Sequence, residues 1–185
     1  MVLTTLSNFE AYTFCLEEDF KIPFLAPVGR YVSWKLANFW DDYNELYHAT
    51  AYFLKISEEN EIWTHSHLII KNGEINGVAF IVGGKLNKAE SKFRIEEEEK
   101  SLLLKYFHIT DRGKGLGKKW LGEIILPYYK AKDFDKIYVS SSHPESFPLY
   151  EKFGRCFHHY QANSDNHLYL RQGKSFEIEL GSREF

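Results

Sequence analysis

Large apolar residues between Ala37 and about Ile56 recur at helical spacing. The stripe consists of Phe39, Trp40, Tyr43, Leu46, Tyr47, Phe53 and Leu54. The opposite side of the same helical wheel carries Asp41, Asp42, Asn44 and Glu45. The spacing therefore predicts an amphipathic helix over 37–56.

The residues that follow change to a strand pattern. Segments 62–70 and 75–82 are rich in apolar and β-branched residues. Between them, Asn72 and Gly73 are suited to the positive φ angles of a tight type I′ turn. We predict a β-hairpin here.

Two other stretches lack a clear period. Residues 1–36 mix large aromatic residues with prolines and a glycine, so we expect short strands and turns there. Residues 85–100 are strongly charged, with glutamates in a row from Glu96 to Glu99. They predict an exposed connection.

A central strand and helix follow this connection. The run 101–110 is apolar nearly throughout, as in a strand buried on both faces. From Leu116 the apolar residues return to helical spacing. Pro127 removes one backbone hydrogen bond from that helix, so we expect a kink.

The last third of the chain predicts a strand over 136–142 and then a short helix. Ser142 and Glu145 have the spacing of a capping box, which would start the helix, and Gly154 would end it. Alternating residues predict a closing pair of strands at 156–160 and 167–171.

The predicted order is helix, hairpin, strand, helix, strand, helix, strand, strand. A strand buried on both faces needs cover on each side, so this order predicts an α/β (α+β) fold with a mixed central sheet and helices on both faces. With 185 residues, the chain is long enough for one domain with a core and too short for two ordinary ones.

Three alternating glycines lie between the central strand and its helix, in Asp111-Arg112-Gly113-Lys114-Gly115-Leu116-Gly117-Lys118-Lys119. Glycines let the backbone pass close to a ligand, and a helix start presents unpaired N–H donors and the positive end of its dipole. The arginine and lysines add positive charge. The ligand expected at this loop is a phosphate.

The spacing of the loop excludes two common phosphate motifs. A Walker loop needs glycine where Arg112 stands and serine or threonine where Lys119 stands. A dinucleotide fingerprint needs its third glycine at position 118, which is lysine. What remains is Arg-x-x-Gly-x-Gly at Arg112, Gly115 and Gly117.

This hexapeptide resembles the acyl-CoA-binding signature of the GNAT superfamily of N-acetyltransferases. Downstream, Leu149-Tyr150-Glu151-Lys152-Phe153-Gly154 resembles the Leu/Phe-Tyr-Glu-Lys-x-Gly ending of a short helix in the same family. The two blocks stand in family order, and the resemblance covers roughly residues 62–172. The sequence departs from the pattern at His143, Ser146 and Arg155, where many members have asparagine, alanine and an aromatic or aliphatic residue.

The resemblance implies a GNAT-type mixed, mostly antiparallel central sheet, whose central strands splay and admit the pantetheine arm of CoA. It implies a single acetyltransferase domain over 1–185. Within it, residues 1–60 would form the acceptor side and residues 62–172 the acetyl-CoA-binding core.

The resemblance also implies the cofactor-binding residues. The strand before the loop would pair its backbone with the pantetheine amides, with the Phe107 amide as the oxyanion donor, and the loop amides would hold the pyrophosphate. The implied residues are Tyr106, Phe107, His108, Arg112, Gly113, Lys114, Gly115, Leu116, Gly117, Lys118 and Ser142.

The activity implied is transfer of an acetyl group from acetyl-CoA to a primary amine of a small molecule or peptide. Tyr150 resembles the tyrosine that protonates the CoA sulfur in many members, and a phenol with a pKa of about 10 keeps its proton at neutral pH. A tyrosine packed by its ring on the sheet is the alternative. A non-catalytic acyl-CoA-binding module also stays open, as does, less favoured, a phosphate- or nucleic-acid-binding domain.

The sequence leaves the general base open. His108, Glu98 and Glu99 lie on or just before one strand, and His65 and His67 share a face of another. A structural role is favoured for each of them. A base that acts through water, or no base, would be common for the family.

Composition adds a few limits. The chain is 44% hydrophobic and 26% charged, as in globular proteins, and its net charge of -3 argues against a nucleic-acid partner. No window approaches the roughly 20 apolar residues of a membrane span. Cys15 and Cys156 are expected to be free thiols in a reducing compartment, which predicts a cytoplasmic protein.

Histidine pairs raise the question of a metal site. His65, His67 and the His158-His159 pair have no cysteine or acid at a recognised ligand spacing, so no metal is expected. The expected partners are acetyl-CoA and an amine acceptor, without nucleic acid or membrane, and a homodimer is left open.

Overall fold

The computed structural model describes residues 3–38, 45–163 and 169–181. Its strands are β1 (Thr4–Phe9), β2 (Tyr12–Glu17), β3 (Ile62–Lys71), β4 (Glu74–Gly84), β5 (Ser101–Ile109), β6 (Lys136–Ser141), β7 (Arg155–Asn163) and β8 (Leu170–Glu179). Its helices are α1 (Ala26–Ala37), α2 (Glu45–Ser57), α3 (Leu116–Lys119), α4 (Leu126–Lys130) and α5 (Phe147–Phe153), with a π-helix at Trp120–Ile125.

The strands form one sheet in the order β1-β2-β3-β4-β5-β6-β8-β7. Among these described strands every neighbouring pair is antiparallel except β5 and β6, which are parallel. The expected mixed, mostly antiparallel sheet is therefore confirmed.

Both faces of the sheet are buried, as strand β4 illustrates. Val78, Phe80 and Val82 pack with the helices α1 and α2, whereas Ala79 and Ile81 pack with the helical run 116–130 and with α5. Side chains alternate between the two faces of a strand, so an unbroken apolar run serves both cores. Helices on both faces are confirmed.

The predicted hairpin is β3 and β4. Asn72 and Gly73 have φ angles of 52° and 80°, as a type I′ turn requires. This turn is confirmed at the two residues that predicted it.

The N-terminal prediction was right for β1 and β2 but missed α1. Pro27 stands in the first turn of this helix, where its missing N–H has no partner to lose, so the proline marks a helix start and not a turn. Gly29 lies within the helix, and a side chain there would make ordinary contact with Leu46 at 3.7 Å.

The single helix predicted over 37–56 was wrong in its bounds, and of the described residues in its predicted apolar stripe only Phe53 is buried. Ala37 is the last residue of α1, and the described part of the second helix begins at Glu45. Phe39, Trp40 and Tyr43 lie outside the described residues. The buried residues of α2 are Ala49, Phe53 and Ile56, whereas Leu46, Tyr47 and Leu54 are exposed.

Residues 85–100 contain two 3-10 turns, Leu86–Lys88 and Glu98–Lys100. Most of their side chains are exposed or half-buried, as predicted. Leu86, Glu90 and Ile95 are buried exceptions.

The chain stays helical through Pro127. The π-helix Trp120–Ile125 directly precedes α4, which contains Pro127. The kink expected at this proline stays a prediction. Since the residues before Pro127 are helical too, its missing N–H falls inside the helical run, where the π-helix already changes the regular hydrogen-bond pattern.

The predicted capping box at Ser142 and Glu145 was wrong. Pro144 opens a 3-10 turn at Pro144–Ser146, so the helix α5 begins only at Phe147. The hydroxyl that serves the turn is that of Ser141, which accepts a 3.1 Å hydrogen bond from the His143 N–H. Gly154 follows the helix, as predicted.

The closing strands are β7 and β8, which pair as predicted. Strand β8 runs to Glu179, beyond the predicted end at 171, and lies between β6 and β7. Its buried residues Phe176 and Ile178 complete the core. The predicted strand residues 167 and 168 lie outside the described range.

Within the described ranges, no helix has both the length and the apolar character that crossing a bilayer requires.

Candidate active site

Strands β5 and β6 part from each other in the centre of the sheet. Their pairing covers Ser101 to Leu104 on β5, and Leu104 is opposite Val139. Beyond that point β5 continues along β4 to Ile109, and β6 continues along β8 to Ser141. The sheet therefore opens as a wedge between two central strands.

A cavity of about 900 Å³ occupies this wedge. That volume is in the range of small-molecule and cofactor sites. Most of the cofactor-binding residues predicted from the sequence line it, together with the predicted acid. They are Tyr106, Phe107, His108, Arg112, Gly113, Gly115, Leu116, Gly117, Ser142 and Tyr150.

A β-bulge interrupts β5 inside the wedge. Val78 is paired with His108 and Phe80 with Lys105, so Tyr106 and Phe107 both stand opposite Ala79. Tyr106 has a φ of 51°, which is rare for a residue with a side chain. Bulges of this kind leave backbone groups outside the ladder, where a ligand can reach them.

The loop after β5 bends through two glycines in the left-handed conformation. Gly113 and Gly115 have φ angles of 77° and 71°, and a Cβ on either would meet no atom within 4 Å. Both glycines therefore face open space. The N–H groups from Gly113 to Lys118 donate no hydrogen bond within the described residues. They are available to an anion at the start of the helical run at Leu116.

The loop's charged side chains take different positions. The Arg112 guanidinium lies 4.8 Å from the centre of the Tyr31 ring, at the cavity wall. Lys114 is turned away from the cavity and contacts the Tyr12 hydroxyl at 3.1 Å, and Lys118 is exposed outside the cavity lining. The predicted contribution of Lys114 and Lys118 therefore rests on their backbone groups.

Tyr150 lies on α5 and is almost fully buried at the cavity wall. Its ring packs against Phe176, with 5.5 Å between the ring centres. Burial raises the pKa of Tyr150, so its phenol keeps its proton well above neutral pH. Its hydroxyl has no hydrogen-bond partner among the described residues.

A charged cluster that the sequence did not predict borders the same cavity. Glu45 accepts a 2.9 Å contact from His108 Nε2 through one oxygen and a 2.6 Å hydrogen bond from Lys35 Nζ through the other. Burial alone would raise the pKa of Glu45. The hydrogen bond from His108 and the charges of His108 and Lys35 outweigh it and hold that pKa well below its usual range. The carboxylate is therefore ionised.

A second buried ion pair lies farther along the cavity wall. Lys105 Nζ is 2.9 Å from Glu90 Oε2, and both side chains are largely buried. Burial lowers the pKa of Lys105, although Glu90 opposes this effect. Neither partner was predicted, because they come from separate segments.

The other candidate bases lie elsewhere. His65 and His67 both contact the hydroxyl of Tyr129, at 3.0 Å and 2.9 Å, and do not line the cavity. The Glu98 carboxylate accepts a hydrogen bond from the Asn87 N–H at 2.7 Å. Of the predicted candidates, only His108 lines the cavity.

No group of three or more histidine, cysteine, aspartate or glutamate residues is placed to hold a metal ion within ranges 3–38, 45–163 and 169–181. The His159 ring instead contacts the sulfur of Cys156 at 3.4 Å.

No protein-family model matches the chain, and no curated protein matches its sequence. Solved structures resemble it over nearly its whole length. A GNAT superfamily phosphinothricin acetyltransferase from Sinorhizobium meliloti, in complex with acetyl-CoA, is 18% identical. That alignment covers 93% of this chain and 90% of the other, with a TM-score of 0.58.

Two structures of enzymes that act on ribosomal proteins are similar to the same extent. The acetyltransferase from Salmonella typhimurium that modifies the N-terminal serine of protein L7/L12 is 13% identical, covers 96% of this chain and 99% of its own, and has a TM-score of 0.57. A ribosomal-protein-alanine N-acetyltransferase from Brucella melitensis is also 13% identical, with coverages of 89% and 98% and a TM-score of 0.56. The chain therefore has the GNAT fold.

Proposed function

We propose that this protein is an N-acetyltransferase that transfers the acetyl group of acetyl-CoA to a primary amine. One observation carries the proposal. The loop at 113–118 presents, at a helix start, N–H groups that have no partner in the described part of the chain, and it lies directly beside a wedge of about 900 Å³ between two parting strands. A diphosphate joined to a long, narrow arm fits that combination, because the loop suits the anion and the wedge suits the arm.

The cofactor would lie with its pyrophosphate on the loop and its pantetheine arm along β5. The amides of Gly113, Lys114, Gly115, Leu116, Gly117 and Lys118 would bind the phosphates, with Arg112 beside them. The backbone of Tyr106, Phe107 and His108 would bind the pantetheine amides, and Ser142 would border the arm from the β6 side. The acetyl-CoA complex of the Sinorhizobium meliloti structure supports this choice of ligand.

The chemistry needs a neutral amine, a stabilised oxyanion and a proton for the departing thiolate. The amide of Phe107 would hold the oxyanion, because the bulge removes this residue from the regular ladder. Tyr150 would protonate the sulfur. Its raised pKa keeps the phenol protonated, and a phenol can donate to a thiolate whose acid has a pKa of about 8.5.

The acceptor would approach from the N-terminal region, residues 1–60. A smaller cavity of about 330 Å³ between α1 and the end of β5 shares Tyr31, Trp34, His108 and Arg112 with the large one. The similar structures include enzymes for phosphinothricin and for ribosomal proteins, so a small amine and a peptide amine both remain in the proposal. Cys15 and Cys156 are free thiols, which fits the cytoplasmic location we propose.

Titration calorimetry with acetyl-CoA, followed by a thiol-release assay over a panel of small amines and peptides, tests the proposal. We expect saturable binding and amine-dependent release of free CoA. Binding without turnover on any amine would favour the non-catalytic acyl-CoA-binding module. Absence of binding would contradict the proposal, and steeply salt-dependent binding of nucleic acid would favour the remaining alternative.

A further inference from the structure

His108 lies near the end of β5. It follows Phe107 directly, and the two side chains lie on opposite faces of the sheet. Phe107 packs against Trp120, with 5.1 Å between ring centres, whereas His108 reaches Glu45 on α2. His108 also lines both cavities. Its imidazole therefore lies at the junction of the cofactor wedge and the proposed acceptor cavity.

The contact with Glu45 fixes the tautomer of this imidazole, that is, which ring nitrogen carries the proton when the ring is neutral. Because Glu45 is ionised and can only accept hydrogen bonds, the proton of a neutral His108 ring must be on Nε2. Nδ1 then carries the lone pair. It has no hydrogen-bond partner among the described residues, so it is available to take a proton.

Lys35 makes the arrangement rigid. Its side chain is fully buried, and its 2.6 Å contact leaves the Glu45 carboxylate with a cation on one oxygen and an imidazole on the other. The Tyr31 ring packs 5.5 Å from the His108 ring and 4.4 Å from the Lys35 ammonium. A carboxylate held this firmly orients the ring.

Several other charged or titratable groups surround the ring. From α1 and α2 these are Lys35, Tyr31, Glu45 and His48, from the loop Arg112, and from the segment after β6 His143. Arg171 of β8 lies near His143, and its charge contributes to lowering the pKa of that histidine. His143 is the other imidazole nearest the site, and its ring makes no hydrogen bond to the described residues. Burial lowers the pKa of His143, which favours its neutral form.

We infer that His108 is the general base of the reaction and that Glu45, held by Lys35, is the residue that positions it. This inference rests on the proposed N-acetyltransferase function. It goes further because it assigns the proton acceptor to one atom, His108 Nδ1, and the positioning role to a helix far away in sequence.

The proposed reaction begins with attack by the amine. The lone pair of a neutral amine forms a C–N bond to the thioester carbonyl carbon, and the carbonyl π electrons move to the oxygen near the Phe107 amide. His108 Nδ1 takes one proton from the nitrogen of this adduct. The electron pair on the oxygen then re-forms the C=O bond as the C–S bond breaks, and the departing thiolate takes the proton of Tyr150. The imidazolium and the phenolate return to their neutral forms by exchange with solvent.

The first test replaces the base. In His108→Gln we expect kcat/KM at neutral pH to fall by about 10²- to 10⁴-fold, the usual contribution of a general base. The Kd for acetyl-CoA should stay within about two-fold, and added imidazole should restore part of the rate. The matched control is His159→Gln, on the exposed face of β7, which should keep the parent rate. An unchanged kcat/KM in a folded His108→Gln variant would overturn the inference.

The second test concerns Glu45. In Glu45→Gln the amide can offer His108 Nε2 either its oxygen or its NH2 group, so the ring is no longer held in one tautomer and one orientation, and we expect kcat to fall by about ten-fold while the Kd for acetyl-CoA stays within about two-fold. Glu123→Gln, on the exposed side of the 116–130 helical run, should leave kcat unchanged. A merely structural Glu45 would lower the amount of folded enzyme without lowering kcat per folded molecule, and that result would overturn the positioning role.

A third measurement needs no turnover. The ¹⁵N shifts of the His108 ring should place its proton on Nε2 in the parent protein and show mixed tautomers in Glu45→Ala. A parent ring protonated on Nδ1 would overturn the inference. Failure of acetyl-CoA binding in calorimetry would instead remove the proposed function, so the two failures can be told apart.

Discussion

The Tyr12 hydroxyl donates a 2.6 Å hydrogen bond to Oδ2 of Asp111 and so ties strand β2 to the first residue of the glycine-rich loop. The same oxygen is 2.5 Å from Lys71 Nζ and 3.4 Å from Lys114 Nζ. The hydrogen bonds from Lys71 and Tyr12 hold the pKa of Asp111 well below its usual range. Strands β2 and β3 therefore hold the first residue of the loop in place.

Tyr12→Phe should weaken this anchoring of Asp111. A hydrogen bond to a charged group contributes about 1.5–3 kcal/mol, and because Lys71 and Lys114 remain, we expect the free energy of unfolding to fall by about 1–2 kcal/mol in urea titrations. The Kd for acetyl-CoA should rise about five-fold, since the loop amides lose their fixed position. Tyr47→Phe, at a 69% exposed tyrosine, is the control and should change neither quantity. Equal stability of the two variants would contradict the role of this contact.

A glycine of the loop and a glycine of the hairpin can be compared, because alanine would cause similar backbone strain at both. Gly115 and the hairpin residue Gly73 have φ angles of 71° and 80°, and a Cβ on either meets no atom within 4 Å. Alanine at each site should therefore cost a similar amount of stability, about 1–2 kcal/mol. Only Gly115→Ala places a methyl group where the diphosphate would lie. We expect its Kd for acetyl-CoA to rise at least about ten-fold in calorimetry, with Gly73→Ala unchanged.

Equal affinities in these two variants would mean that the loop does not hold the cofactor. A loss of affinity in both would instead point to strain as the cause.

Tyr150→Phe tests the proposed acid. Without the phenolic proton the thiolate must leave unprotonated, so we expect kcat to fall by about 10²- to 10³-fold while the Kd for acetyl-CoA stays the same. Burial raises the pKa of Tyr150, so the parent enzyme should lose no activity through this group up to about pH 10. Tyr128→Phe, outside the cavity lining, is the control for loss of a hydroxyl. A parent-like kcat in Tyr150→Phe would assign this tyrosine to packing.

Features set by neighbouring residues were predictable from the sequence. The hairpin turn needs positive φ at two consecutive positions, and Asn72-Gly73 is a pair that accepts it. The central strand is apolar on both faces, which indicated helices on both sides of the sheet. The glycine spacing likewise marked the loop from Arg112 onward.

Features that form only when distant segments meet were missed. Leu46, Tyr47 and Leu54 have helical spacing, but packing against the sheet selects the face with Ala49 and Phe53. A periodic pattern does not say which of two apolar stripes is covered.

The pairing of Glu45 with His108 is a second such case. The two residues come from different elements, and a glutamate on the polar side of a predicted helix gives no sign of its partner. The proline signal in residues 1–36 failed for another reason, because Pro27 opens a helical turn at a position where turns and loops also use proline.

His67 makes stability depend on pH. Its Nε2 is 2.9 Å from the Tyr129 hydroxyl, and its Nδ1 is buried without a partner among the described residues. Burial lowers the pKa of His67 from 6.5 to about 3. Between these values the unfolded chain binds a proton that the folded chain excludes, so stability is complete above pH 6.5 and is lost as the pH falls towards 3.

Between the two pKa values of His67, each pH unit changes the free energy of unfolding by about 1.36 kcal/mol. Acidification from pH 6.5 to 5 should lower the free energy of unfolding by about 2 kcal/mol through His67. Burial also lowers the pKa values of His65 and His143. The change of the parent protein's stability with pH in this range therefore includes smaller contributions from these two histidines. Urea titrations at several pH values should show a shallower slope in His67→Gln, whatever its stability at pH 7. His65→Gln is the control, because its more accessible ring should remove less of the slope. An unchanged slope in His67→Gln would mean that water reaches this ring and that it titrates as an ordinary histidine.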